Sequence, residues 1–312
     1  MYAQLAADFE TPLSAYIKIS GEGEAFLFES AESTGSSGRY SILGSNPRAV
    51  IKAHGHEITY TDRAETQTWT AEHDILAELE QLMEKYQPVT HGNAPPFYGG
   101  AVGYLAYDAI RQFEPSIGAP AKDELGLPDA LFFIADTLLI FDHQLRRLIV
   151  VANAFVDEHD SADAAYSEAR QRIEAMIKKL DKPLHIAPLN GLAEFETPEA
   201  ESNTTQEEYE AMVVKAKEYI AAGDAFQIVP SQRFEIDYSG SPVDLYRALR
   251  HVNPSPYMFI MELGDFSLVG SSPEVHVRAI NGRIDIRPIA GTRWRGKTQE
   301  EDDALAADLL AD

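Results

Sequence analysis

Apolar positions change their period several times along this chain, and each change predicts an element. Near the start, residues 15–19, 25–29 and 39–43 are short β-leaning runs separated by glycine and serine clusters. Residues 48–60 read as a hairpin turning near Gly55, and the spacing over 72–86 predicts a helix. Residues 95–104 mix aromatics with Gly99, Gly100 and Gly103, which implies strand segments where backbones approach closely or bulge. Two apolar runs, 131–141 and 145–155, flank Asp142-His143-Gln144 as the longest hairpin candidate, and a helix over 162–180 closes this part.

Residues 181–204 are rich in Pro, Ala, Glu and Asn without apolar periodicity, so they read as a linker between a domain at 1–180 and another at 205–312. The second opens with Thr205 and Glu208 as a capping box, helical spacing through Tyr209, Met212, Val213, Ala216 and Ile220, and an exit at Gly223. Residues 225–236 alternate like a strand, with Pro230 demanding an edge or a bulge. Ser241-Pro242 starts another helix that Asn253-Pro254 ends. Hairpins follow, 257–263 with 266–269 about Gly264-Asp265, and 275–280 with 283–289 about Asn281-Gly282. A last helix starts at Thr298, boxed with Glu301. Its stripe of Leu305, Leu309 and Leu310 meets no Gly, Pro or basic turn before Asp312, so the domain is expected to be cut before completion.

Composition narrows the chemistry. The chain has 312 residues, 45% of them hydrophobic, enough for a sizeable core. A net charge of −24 argues against a nucleic-acid or anionic-membrane surface, since phosphate binding needs clustered Lys and Arg, and the acidity itself serves solubility. Without cysteine there is no disulfide, thiolate metal site or Cys nucleophile. With no leader and no membrane-length apolar run, a cytoplasmic protein is expected. The nine histidines show no His-x-x-x-His spacing, and His54 and His56 should flank an exposed turn rather than hold a metal.

One pattern competes for attention. Gly291-Thr-Arg-Trp-Arg-Gly296-Lys297-Thr298 fits the P-loop expression. Bulky Arg293, Trp294 and Arg295 suit a phosphate nest poorly, and the preceding strand belongs to an Asn-Gly hairpin rather than a parallel βαβ unit. The same segment also offers Thr292 and four cations, Arg287, Arg293, Arg295 and Lys297. That island could bind a small carboxylate substrate, or its arginines could simply pair with surface carboxylates.

Five segments decide what the residues leave open: 224–234, 244–249, 253–258 (Asn-Pro-Ser-Pro-Tyr-Met), 270–274 and 288–293 (Pro-Ile-Ala-Gly-Thr-Arg). They resemble the chorismate-utilising enzymes, and within them the anthranilate synthase component I family. Residues 26–31, 39–41 and 97–104 resemble that family's N-terminal region, so the likeness runs from about Glu10 onward in the right order. It implies an α+β fold, antiparallel sheets packed face to face with helices outside, incomplete at the C-terminus.

The resemblance also implies chemistry. Ala290 stands where relatives with other activities generally carry lysine; alanine can neither attack the substrate nor activate water, which leaves ammonia as nucleophile. Ala290, Gly291 and Thr292 match substrate-binding positions, Thr292 also being the catalytic candidate. The implied reaction converts chorismate and ammonia, supplied by a glutamine amidotransferase subunit, to anthranilate and pyruvate. Mg²⁺ is implied as Lewis acid, with ligands expected after Asp312, so little activity is expected of the chain as it stands. Glu29, Ser30, Pro256, Tyr257 and Met258, assisted by Arg39, match a feedback site for tryptophan. Aminodeoxychorismate synthase component I is the nearest alternative, and a non-catalytic tryptophan-binding fragment is one of another class.

Overall fold

The computed structural model describes residues 1–21, 23–30, 38–62, 65–89, 94–118, 123–189, 198–286 and 291–311. The chain opens with β1 (Tyr2–Ala6), α1 (Pro12–Ser20), β2 (Ala25–Glu29), β3 (Tyr40–Ser45), and the meander β4 (Ala49–His54), β5 (Glu57–Asp62) and β6 (Glu65–Thr70). After these come α2 (Ile75–Glu84), β7 (Gly100–Leu105), the single turn α3 (Ile110–Phe113), β8 (Ala130–Ala135), β9 (Thr137–Asp142), β10 (Arg147–Ala152) and α4 (Ala162–Leu180). The remainder comprises β11 (Glu201–Ser202), α5 (Gln206–Ala222), β12 (Phe234–Glu235), α6 (Pro242–Val252), β13 (Tyr257–Glu262), β14 (Ser267–Ser272), β15 (Arg278–Ile280), β16 (Arg283–Asp285) and α7 (Gln299–Ala311).

Two antiparallel sheets dominate. One runs β1-β10-β9-β3-β2-β13-β14, the other β6-β5-β4-β8-β7. They face each other across one core: Phe26, Leu138, Ile140, Ile149, Val151 and Met261 from the first meet Val50, Val102, Leu131 and Phe133 from the second. The alternate residues point the other way, as a period of two requires. Ile51, Ala53 and Ile58 thus meet Ile75 and Leu79 of α2 in a second cluster. On the opposite face of the larger sheet, α1 lies over β2 and β3 and α4 over β10. Strands covered on both faces read as unbroken apolar runs, which is why Leu148–Val151 shows no polar alternation.

The chain forms two compact units, Met1–His185 with Tyr246–Asp312, and Ile186–Leu245. One boundary lies at His185/Ile186 and the other inside α6, so residues 246–312 group with the N-terminal part rather than with 205–245. The hairpin β13–β14 belongs to the first unit because β13 adds to β2, with Met258 opposite Glu29 and Glu262 opposite Ala25.

The expected α+β, face-to-face arrangement is observed, with three local corrections. Residues 15–19 are helical, not extended: Thr11 and Ser14 form a reciprocal capping box, Pro12 stands in the first turn, and Leu13, Tyr16 and Ile19 are buried at helical spacing. The run 131–141 is two strands in different sheets, broken at buried Asp136, whose carboxylate takes a 2.6 Å hydrogen bond from Arg172 of α4. The strand expected over 225–236 shrinks to β12, with Phe226 and Val229 exposed. The short strand β1 and the polar strand β6 were not foreseen. Gly103 is the close approach expected of its segment, because a Cβ there would stand 1.9 Å from the Leu131 carbonyl oxygen.

Candidate functional site

The β2/β13 seam gathers most of the residues singled out for the tryptophan site. Proline cannot continue α6, so Asn253-Pro-Ser-Pro256 turns the chain from that helix into β13. The Asn253 N–H still donates to Leu249 at 2.9 Å, and its carbonyl accepts from Ser271 at 2.7 Å. Tyr257 and Met258 then open the strand, Met258 buried and Pro256 and Tyr257 half-buried. Glu29 lies directly across from Met258, and half-buried Ser30 follows it. Glu29, Ser30, Pro256, Tyr257 and Met258 therefore meet at one end of one strand pair.

Glu29 is only 8% exposed, and its carboxylate is bound by two residues of α6. The Tyr246 hydroxyl donates to Oε1 at 2.7 Å, and Arg250 approaches the same oxygen through Nε at 2.6 Å and Oε2 through Nη2 at 3.4 Å. Burial, with Glu29 adding to it, pushes the Tyr246 phenol well above its ordinary range, so it remains a donor. Tyr246 and Arg250 escaped the sequence reading. Their i, i+4 spacing puts them on one face of α6, but nothing local names a partner 217 residues away.

Arg39 is engaged elsewhere. It flanks β3, where Tyr40 pairs with Asp142, and its guanidinium holds Asp142 through bonds of 3.0 and 3.1 Å. That bond above all draws the Asp142 carboxyl below the usual carboxylate range.

The second predicted region lies before α7. Ala290 falls outside the described residues, as does Arg287. Gly291 and Thr292 are exposed in a segment without regular structure, and a Cβ on Gly291 would meet only the end of the Leu309 side chain. Arg293 donates to Asp308 at 2.6 Å, and Arg295 grips Asp302 through bonds of 2.9 and 2.6 Å. Of the two readings of the basic island, the pairing with carboxylates is the one seen for these arginines. The P-loop pattern finds no support in the geometry. β15 and β16 form an antiparallel hairpin over Asn281-Gly282, both with positive φ, and the N–H groups of Gly296 and Lys297 donate to Asp302 and Glu301. Among the described residues no three His, Asp or Glu side chains converge into a metal site, and no helix is long and apolar enough to cross a membrane.

Comparison with known proteins points the same way as the motifs. The profile of the chorismate binding enzyme family matches residues 23–312. Anthranilate synthase component 1 of Pseudomonas putida is 41% identical over 312 residues, covering 98% of this chain and 62% of the relative. The probable anthranilate synthase component 1 of Schizosaccharomyces pombe is 40% identical, covering 100% and 60% respectively. The chain thus spans about three-fifths of the length of the curated relatives it matches. Among solved structures, anthranilate synthase component I of Streptococcus pneumoniae aligns over 99% of this chain and 64% of that one, with a TM-score of 0.66 at 30% identity. The menaquinone-specific isochorismate synthase of Escherichia coli shares the fold, with a TM-score of 0.57 at 13% identity.

Proposed function

The chain belongs to the chorismate-binding enzyme family, and from that premise we propose that it serves as an anthranilate synthase component I, turning chorismate and ammonia into anthranilate and pyruvate. The observation that carries this reading is the 41% identity, sustained over 98% of the chain, to a relative named for that activity. Alanine at position 290 supports it from chemistry, since a methyl group offers no amine to compete with free ammonia for the substrate ring. Gly291 and Thr292 are proposed to meet chorismate, Thr292 through its hydroxyl. A glutamine amidotransferase subunit is the proposed ammonia source. Mg²⁺ belongs to the proposal, but the described residues contain no donor set that fits it, so none is assigned to the metal and no step is routed through it.

Tryptophan is proposed as inhibitor at the β2/β13 seam. The Glu29 carboxylate suits its amino group, Ser30 offers a hydroxyl, and Pro256, Tyr257 and Met258 offer apolar surface for an indole. Arg39 enters only as a neighbour, its guanidinium being bound to Asp142.

The activity is tested on protein expressed from its whole reading frame, given chorismate, ammonium and Mg²⁺, with products separated and weighed. Anthranilate and pyruvate are expected; 4-amino-4-deoxychorismate would overturn the assignment in favour of aminodeoxychorismate synthase. Calorimetric titration of the 312-residue chain tests the regulatory part. Tryptophan should bind, and Glu29→Gln should weaken it by about tenfold or more, the usual worth of a charge-assisted bond.

A further inference from the structure

We infer that Tyr246 and Arg250 are positioning residues for the ammonium group of an amino-acid ligand, fixing one oxygen of Glu29 while the other oxygen faces the ligand. This rests on the proposal that tryptophan binds at Glu29. Three features carry it.

The first is the uneven sharing of the carboxylate. Both short contacts, a 2.7 Å hydrogen bond from Tyr246 and a 2.6 Å ion pair with Arg250, converge on Oε1, whereas Oε2 meets Arg250 Nη2 at 3.4 Å, outside the range of a strong charge-assisted bond. A carboxylate accepts about four hydrogen bonds, so the three contacts with Tyr246 and Arg250 orient it without, among the described residues, filling that capacity. The second is burial. At 8% exposure the carboxylate has little water to solvate its charge and needs a partner to offset that desolvation. Arg250 supplies the missing cation, and because its own side chain is 37% exposed, water screens it enough for a second cation to be attracted. The third is connectivity. Both residues lie on α6, and the same chain runs directly through Asn253–Pro256 into Tyr257 and Met258. One helix thus orients the acid and delivers the apolar residues that would face the ligand ring.

The experiment compares L-tryptophan with 3-indolepropionate, which keeps the ring and carboxylate but has no amine. Both are titrated calorimetrically into the 312-residue chain and into its Tyr246→Phe, Arg250→Gln and Arg250→Lys variants, with thermal melts recorded alongside. Tyr246→Phe removes only a hydroxyl and Arg250→Lys keeps the charge, so these two guard against a collapsed fold. Tyr246→Phe and Arg250→Gln should weaken tryptophan by about tenfold while moving 3-indolepropionate by less than about twofold, and Arg250→Lys should recover part of the loss. Equal losses for both ligands, or unchanged tryptophan binding, would overturn the inference and leave the tryptophan site standing. Failure of the unaltered chain to bind tryptophan removes the regulatory reading and this one with it.

Discussion

Asp142 has no solvent-exposed side-chain surface and faces two arginines, Arg39 at 3.0 Å and Arg147 at 3.3 Å. Its carboxyl titrates below the ordinary aspartate value of about 3.9, chiefly through the Arg39 bond and then the Leu145 N–H. Folding therefore favours the ionised form. The stabilisation is complete above the ordinary value and is lost as pH falls through the lower value of the folded state. Asp142→Asn should cost about 2 kcal/mol in urea unfolding at pH 7, and the gap to the parent should narrow below about pH 4. A gap that stays constant through that range would show that packing, not charge, is what the substitution removed. Arg39 illustrates how far single residues could be read in advance. Motif placed it near Glu29, but motif carries no information about which carboxylate a five-donor fork selects, and here it selects Asp142. Tyr246 and Arg250 were illegible for the complementary reason, since a buried glutamate becomes a partner only once distant strands have paired.

Helices and strands were legible where their ends are written in local chemistry. Thr205 with Glu208 fixes the start of α5 and Asn281-Gly282 fixes the β15–β16 turn, each a contact within a few residues. The reading failed where local alternation and tertiary burial disagree. In α1 the apolar residues at 15–19 mimic a strand, and the signal that decides the matter, Thr11-Pro12 followed by Ser14, lies just upstream. Because that cap is an isolated local device, Thr11→Ala should lower stability by about 1 kcal/mol without shifting any strand, measured as a fall in Tm with unchanged far-UV circular dichroism. A neutral result would mean that α1 is held by packing alone, through Leu13, Tyr16 and Ile19. The β8/β9 break at Asp136 failed to register for a different reason. An aspartate inside an apolar run looks like an interruption to be tolerated, and only Arg172 of α4 reveals it as the pivot between two sheets.

Across the chain, burial is distributed unequally. Nearly every buried apolar side chain belongs to the first compact unit, whereas in the unit Ile186–Leu245 Ala216 is the one buried residue among those described. Local opening costs least where few apolar contacts must be broken, so amides of α5 should exchange with deuterium well before those of β9. Equal protection would show that α5 opens only with the larger sheets. Family membership was legible because motifs survive as strings; the union of β13 with β2 was not, since Phe26 and Met261 reveal their pairing only in three dimensions. That union also sets an order of events during synthesis. Until residue 262 has left the ribosome, β2 presents Ala-Phe-Leu-Phe-Glu as a bare sheet edge, five residues of the kind that recruit other nascent chains. Shortened variants that stop before β13 should accordingly collect in the insoluble fraction, and a chaperone that shields extended apolar segments has its longest opportunity between the emergence of Ala25 and that of Tyr257.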